Sequence, residues 1–180
     1  MKNPWIQHGS KVILENQWWK IIQDKVTRPD GQPGEYNIVE TPGSITVVAL
    51  TDEQEVILID QFRYITSSNS LEAPGGGMDS DDPLAEAKRE LREETGISAK
   101  KWTGLGTIQP LNGLVRETMY LFLAQDLDLS QEAPEKAEAI AKVLHVPFPD
   151  VIEQIKNGTI DDGPTIFAVF KAALYLELLK

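Results

Sequence analysis

The stretch "DDPLAEAKRELREETGI" (residues 81–97) carries its own start and stop signals. Asp81 or Asp82 can cap a helix, Pro83 suits its first turn and Gly96 suits its end. At 100° per residue, Glu86, Glu90, Glu93 and Glu94 then share one stripe roughly 100° wide. Leu84, Ala87 and Leu91 form an adjacent stripe that would pack on a sheet, and Lys88 and Arg92 lie on the far side. Like-charge pairs at i,i+4, here Glu86–Glu90 and Glu90–Glu94, each cost an isolated helix about 0.2–0.5 kcal/mol. Only Arg89 offers partial compensation, at i+3 from Glu86 and i−4 from Glu93.

A solvated charged face is the plain reading of an acidic helix. Two features point elsewhere. The acids are segregated from the bases, and the helix follows directly on a Gly-rich loop, "EAPGGGMDSDD" (72–82), whose backbone can approach a ligand closely. Hard oxygen ligands at this density suit Mg²⁺ or Mn²⁺ better than zinc, and a divalent ion would convert the repulsion into coordination.

Outward from the helix, the first half of the chain reads as strands. "KVILE", "QWWKIIQDKV", "YNIVE", "SITVVAL" and "EVILIDQFR" are short and rich in β-branched or aromatic residues, with turn residues between them. "TMYLFLAQDL" and "KVLHVPF" are further strands, "LSQEAPEKAEAIA" is loop or short helix, and "PDVIEQIKNG" and "PTIFAVFKAALYLELLK" are helices. This order predicts an α+β fold, a mixed sheet covered by helices. The turn-rich "RPDGQPGEY" sets off an N-terminal strand arm (1–40) from the remaining domain (41–180).

Composition narrows the function. The 180 residues carry 17 Lys plus Arg against 28 Asp plus Glu, a net charge of −11, which argues against a phosphate-backbone ligand and so against nucleic acid. There is no cysteine, which excludes a Cys-based metal site, and with only His8 and His145, far apart in sequence, a His-rich one is not expected. "MKNPWIQHGS" lacks the apolar core of a signal peptide and no apolar run approaches membrane-spanning length; a cytoplasmic protein without a membrane partner is expected.

Gly75–Ile97, "GGGMDSDDPLAEAKRELREETGI", resembles the Nudix hydrolase signature, with Arg89, Glu90, Leu91, Glu93, Glu94, Gly96 and Ile97 matching in place and Gly75 at the expected distance upstream. Asp81 stands where the family has an early glutamate. "NQWWKIIQDKVTRPDGQPGEYNIVE", "IDQFR", "LEAPGG" and "NGTIDDGPTI" extend the likeness to the branch that includes ADP-ribose pyrophosphatases. The resemblance implies the Nudix fold and a homodimer whose N-terminal strands help form the partner's site. It also implies Mg²⁺-dependent (or Mn²⁺-dependent) hydrolysis of a nucleoside diphosphate linked to a sugar, ADP-ribose first.

It assigns roles as well. Glu90 and Glu94 would bind metal, Glu93 would add a ligand or orient water, and the Gly75 carbonyl would complete the set. Glu138, in "EKAEAIAKV", would be the base, with Glu135 as second choice. Arg63 would contact substrate, or else close a salt bridge at a strand end, and Glu72 would contact the nucleoside. Trp18 and Trp19 would alternate faces along a strand, one in the core or a dimer contact, the other free to stack on a base. Asn112 replaces a proline typical of ADP-ribose pyrophosphatases, in a turn that Asn112-Gly113 can still make. GDP-mannose or another nucleotide sugar is therefore the alternative substrate, and a non-catalytic nucleotide-sensing module the alternative class.

Overall fold

The computed structural model describes residues 2–133 and 139–179. They form two compact units. The first takes the chain up to Gly43 together with Gln109–Thr118, and is a four-stranded sheet of β1 (Ile6–Glu15), β2 (Lys20–Thr27), β3 (Pro33–Glu40) and β9 (Val115–Arg116) in that spatial order. The first three strands pair antiparallel, and β9 joins β3 in parallel. β1 begins at Ile6, well before the expected "KVILE", because it pairs along nearly all of β2.

β2 begins only at Lys20. The Asn16 side chain accepts hydrogen bonds from the backbone N–H groups of Trp18 and Trp19, at 2.8 and 2.9 Å, and folds both tryptophans into the bend between β1 and β2. The expected alternation of Trp18 and Trp19 along a strand is thus corrected: Asn16 turns the chain before the ladder resumes. The Asn112-Gly113 turn does form. Leu114 and Val115 donate to the Leu111 carbonyl, and the Tyr36 hydroxyl donates to the Gly113 carbonyl at 3.1 Å.

The second unit holds the helices and a seven-stranded mixed sheet. Its elements are β4 (Ser44–Leu50), β5 (Glu55–Arg63), β6 (Ser68–Glu72), β7 (Gly75–Gly77), α1 (Pro83–Thr95), β8 (Ser98–Ile108), β10 (Met119–Asp128), β11 (Ile140–Pro147), α2 (Phe148–Asn157) and α3 (Gly163–Tyr175). The order is β11-β5-β4-β10-β8, with β6 on β5 and β7 on β4; only β4 and β10 run parallel.

β4 explains the layering. Its continuous apolar run marks a strand covered on both faces. Ile45, Val47 and Ala49 pack with Ala87 and Leu91 of α1. Val48 and Leu50 pack with Val151 of α2 and with Ala168, Val169 and Ala172 of α3. The expected sheet between helices is what forms.

Besides the two-residue β9 of the first unit, three strands of the second went unanticipated. β7 lies inside the stretch read as a Gly-rich loop, since glycine lets that segment approach β4: a Cβ on Gly75 would sit 2.4 Å from the Ile45 carbonyl oxygen. β6 and β8 are polar enough to read as loop, and most of their residues are exposed or only partly buried.

Among the two cap candidates, Asp82 caps α1, accepting from Leu84 N–H and Ala85 N–H. Gly96 ends the helix at φ 72°, the left-handed region, and a Cβ there would lie 2.0 Å from the Gln131 carbonyl oxygen. Among the described residues no helix is long and apolar enough to cross a membrane.

Candidate active site

The cap, the stop and the apolar stripe fix how α1 rolls on the sheet, and that sets the carboxylates. With Ala87 and Leu91 fully buried, Glu86, Glu90 and Glu94 are drawn in beside them, at 5%, 6% and 1% exposure. Glu93 stays about half exposed, and Lys88 and Arg92 face solvent.

Arg89 does more than partial compensation. Its Nη2 donates to Glu86 Oε2 at 2.7 Å and to Glu90 Oε1 at 2.6 Å, and its Nη1 donates to Glu93 Oε2 at 2.6 Å. Helical geometry at i+3 and i−4 gave two of these partners, and the adjacent Glu90 is the third. Burial works against charge on Arg89, but the hydrogen bonds it donates to Glu86 and Glu93 outweigh it and hold the guanidinium protonated. Glu86 is kept below the usual carboxylate range, first by the Ser80 hydroxyl at 2.6 Å and then by Arg89.

Glu94 faces the chain ahead of the helix. Its Oε2 accepts the Gly75 N–H at 2.8 Å. Glu90 lies against the bare backbone of Gly76, where a Cβ would come within 2.5 Å of its Oε1. The structure therefore brings together four sequence candidates: Gly75, Glu90, Glu93 and Glu94.

The donor set suits a divalent cation in its chemistry: hard carboxylate oxygens, two of them nearly dry, next to glycine backbone. As they stand among the described residues, no three acidic or histidine side chains surround one point at metal-ligand spacing. Arg89 instead occupies the centre of the cluster, as a cation of the protein's own.

Beside the cluster lies a cleft of about 140 Å³, formed by Ser44 and Thr46 of β4, Arg63 of β5, Glu72 of β6, Gly75 and Gly76 of β7, and Asp162 and Pro164 at the start of α3. Arg63 and Glu72 are partners: Arg63 Nε donates to Glu72 Oε1 at 2.8 Å and its Nη2 pairs with Oε2. The bond to Glu72 raises the Arg63 pKa, against burial. The strand-end salt bridge anticipated for Arg63 thus exists, and its partner is the other candidate of the same cleft.

Asp162 was missed. Burial raises its pKa first, and Thr165 hydrogen bonds pull the other way. The only signal in "DDGPT" is that of an ordinary helix N-cap, which does not disclose a cleft. Trp18 and Trp19 belong to the first unit, where they line a cleft with Lys20, Glu40 and Thr41. Glu138 and Glu135 lie outside the described residues.

Comparison with known proteins meets this geometry. The NUDIX domain matches residues 41–168, and the nucleoside diphosphate sugar hydrolase N-terminal domain matches residues 2–39. An ADP-ribose pyrophosphatase of Bacillus subtilis is 32% identical over 175 residues, covering 93% of this chain and 92% of its own. A GDP-mannose pyrophosphatase of Yersinia pestis is 30% identical over 177 residues, covering 91% and 89%. A crystal structure of an ADP compounds hydrolase superposes with a TM-score of 0.80 at 20% identity, over 96% of this chain and 94% of that one, which speaks to the fold alone. The chain belongs to the NUDIX family, in its nucleoside diphosphate sugar hydrolase branch.

Proposed function

We propose that the chain hydrolyses ADP-ribose to AMP and ribose 5-phosphate, with Mg²⁺ or, in its place, Mn²⁺. The observation that carries this reading is the segregated, buried carboxylate pair Glu90 and Glu94 on α1, set against the backbone of Gly75 and Gly76. The likeness to the Bacillus subtilis ADP-ribose pyrophosphatase over nearly the whole chain supports the substrate.

In this reading Glu90, Glu94 and the Gly75 carbonyl would hold the cation, with Glu93 as a further ligand or a water-orienting group. A divalent cation there supplies positive charge against the diphosphate and acidifies a water. Arg89 keeps Glu86, Glu90 and Glu93 from repelling one another in the resting site. Arg63, held by Glu72, presents its guanidinium to a phosphate oxygen, and Glu72 sets its direction. Glu138 takes the proton of the attacking water while one P–O bond of the diphosphate breaks. Trp18, with 65% exposure, offers a stacking face for a base, and Trp19 lies beside it.

A second substrate, GDP-mannose, is favoured by one residue and one relative: Asn112 at the turn where the ADP-ribose branch carries proline, and the 30% identical GDP-mannose pyrophosphatase. A panel of ADP-ribose, GDP-mannose and other nucleotide sugars, assayed chromatographically with Mg²⁺ and with Mn²⁺, separates them. ADP-ribose should give the highest kcat/KM. Preference for GDP-mannose overturns the substrate, and binding without turnover overturns catalysis in favour of a sensing module.

A cytoplasmic homodimer completes the proposal. β1 exposes Ile6, Val12, Ile13 and Leu14 at 50–57%, an apolar edge that a single chain leaves uncovered. Light scattering should give about twice the 20.0 kDa chain mass; a monomer at micromolar concentration with full activity overturns it.

A further inference from the structure

The start of α3 carries hydrogen bonds that the proposed chemistry leaves unused. Asp162 caps the helix, its Oδ2 accepting from the Thr165 N–H at 2.9 Å and from the Thr165 hydroxyl at 2.6 Å. A hydroxyl has one proton, so once it is given to Asp162 the oxygen is left to act as an acceptor. The Ala73 N–H fills that place at 2.8 Å. Capping alone needs only the bond to the Thr165 backbone. The bond to Ala73, 92 residues away in sequence, is additional. Thr165 is fully buried and Ala73 nearly so, which leaves Ala73 poorly placed to find water as an alternative acceptor.

Ala73 sits between the two contacts that matter most in the site. Before it, Glu72 is held by Arg63. After it, Pro74 has no N–H to give, its carbonyl accepts from Val47 at 2.8 Å, and Gly75 donates to Glu94. Residues 72–75 are therefore tied down one by one, to β5, α3, β4 and α1 in turn. The tie to α3 is the one that passes through a side-chain hydroxyl.

We propose that Asp162 and Thr165 are positioning residues for the hydrolase site: acting through Ala73, they fix the Gly75 amide against Glu94 and the Glu72 carboxylate against Arg63. This rests on the reading of Glu94 and Gly75 as cation ligands. Orientation runs in one direction, from Asp162 to the Thr165 hydroxyl to the Ala73 amide, so the carboxylate decides which way the hydroxyl points.

Thr165→Val keeps the side-chain shape and removes the hydroxyl, while Thr165→Ser keeps the hydroxyl. Two readouts are needed: Mn²⁺ affinity of the substrate-free protein by electron paramagnetic resonance, and kcat and KM on the nucleotide sugar that the wild type hydrolyses. Thr165→Val should weaken Mn²⁺ binding about fivefold or more and lower kcat about tenfold, with KM within about twofold, because misplaced reacting groups cost turnover more than binding. Thr165→Ser should restore both. A Thr165→Val protein with a lowered melting temperature but wild-type Mn²⁺ affinity and kcat overturns the proposal and leaves a structural cap. If Thr165→Val does not fold, Asp162→Asn is read by the same two measurements. Should the wild type hydrolyse no nucleotide sugar while Thr165→Val still loses Mn²⁺ affinity, the substrate reading fails and the positioning role stands. A wild type that binds no Mn²⁺ overturns both.

Discussion

The Gly75 backbone N–H donates to the Glu94 carboxylate at 2.8 Å, joining the strand before α1 to the last turn of that helix. Glu94 is 1% exposed, and a charge buried that far is tolerated only with hydrogen-bonding and electrostatic partners, of which that amide is one. Glu94→Gln keeps an acceptor for Gly75 and removes the charge. We expect the fold to survive, Mn²⁺ affinity to fall at least about tenfold, since cation affinity follows ligand charge, and most turnover to vanish. Near wild-type rates at saturating Mg²⁺ would exclude Glu94 as a ligand.

Gly76 separates site effects from fold effects. The three atoms nearest to a Cβ there all belong to the Glu90 carboxylate, with Oε1 at 2.5 Å, and Gly77 has open space around it. Gly76→Ala should push the Glu90 carboxylate aside at little cost in stability, within about 1 kcal/mol. Turnover should drop by about 10²-fold, the scale of an ångström-sized misplacement. Gly77→Ala should be silent. Equal activity in the two variants, measured with matched melting temperatures, would mean that Glu90 does not act where it stands.

The acidic helix was legible because its evidence is local. Period, cap and stop lie within 81–97, and the burial of Glu86, Glu90 and Glu94 follows from where Ala87 and Leu91 must go. β4 was legible for the same reason, a run too apolar to face water. β7 was not, because three glycines show no pattern, and only the neighbour they approach makes them a strand. The Arg63–Glu72 pair depends on the β5–β6 hairpin, whose polar second strand gave no strand signal, and Asp162 on the contact of the distant 72–75 stretch with α3, which no spacing rule encodes. The tryptophans failed at a turn: Asn16 captures two amides and interrupts the strand that composition favours.

Glu40 gives a pH test of the first unit. Its pKa is lowered first by a hydrogen bond from Lys20, at 2.5 Å, and then by one from Arg116, with burial opposing. A carboxyl whose folded pKa lies below its unfolded value adds stability above the unfolded value, about 4.3 for glutamate, and loses it as pH falls through the folded one. Glu40→Gln should therefore be less stable than wild type near neutral pH. The gap should close on acidification below about pH 4. Thermal melts that stay equally far apart at neutral and acid pH would assign the loss to packing instead.

Glu138 is the proposed base; it lies outside the described residues, but its described neighbours on either side do not. Ala133 N–H donates to the Thr95 carbonyl at 2.9 Å, one residue from Glu94. The Ala139 carbonyl accepts from Phe62 N–H at 3.2 Å, one residue from Arg63. Ala133 and Ala139 are thus each held next to a residue that neighbours the proposed site. If Glu138 takes the water's proton, Glu138→Gln should lower kcat by about 10²–10⁴, the usual contribution of a general base. Mn²⁺ affinity and KM should hardly change, because Glu90, Glu94 and Arg63 are intact. Glu135→Gln should be nearly silent. A reversed pattern makes Glu135 the base, and equal, mild losses from both would pass the role to Glu93, whose half-exposed carboxylate already faces the cluster through Arg89.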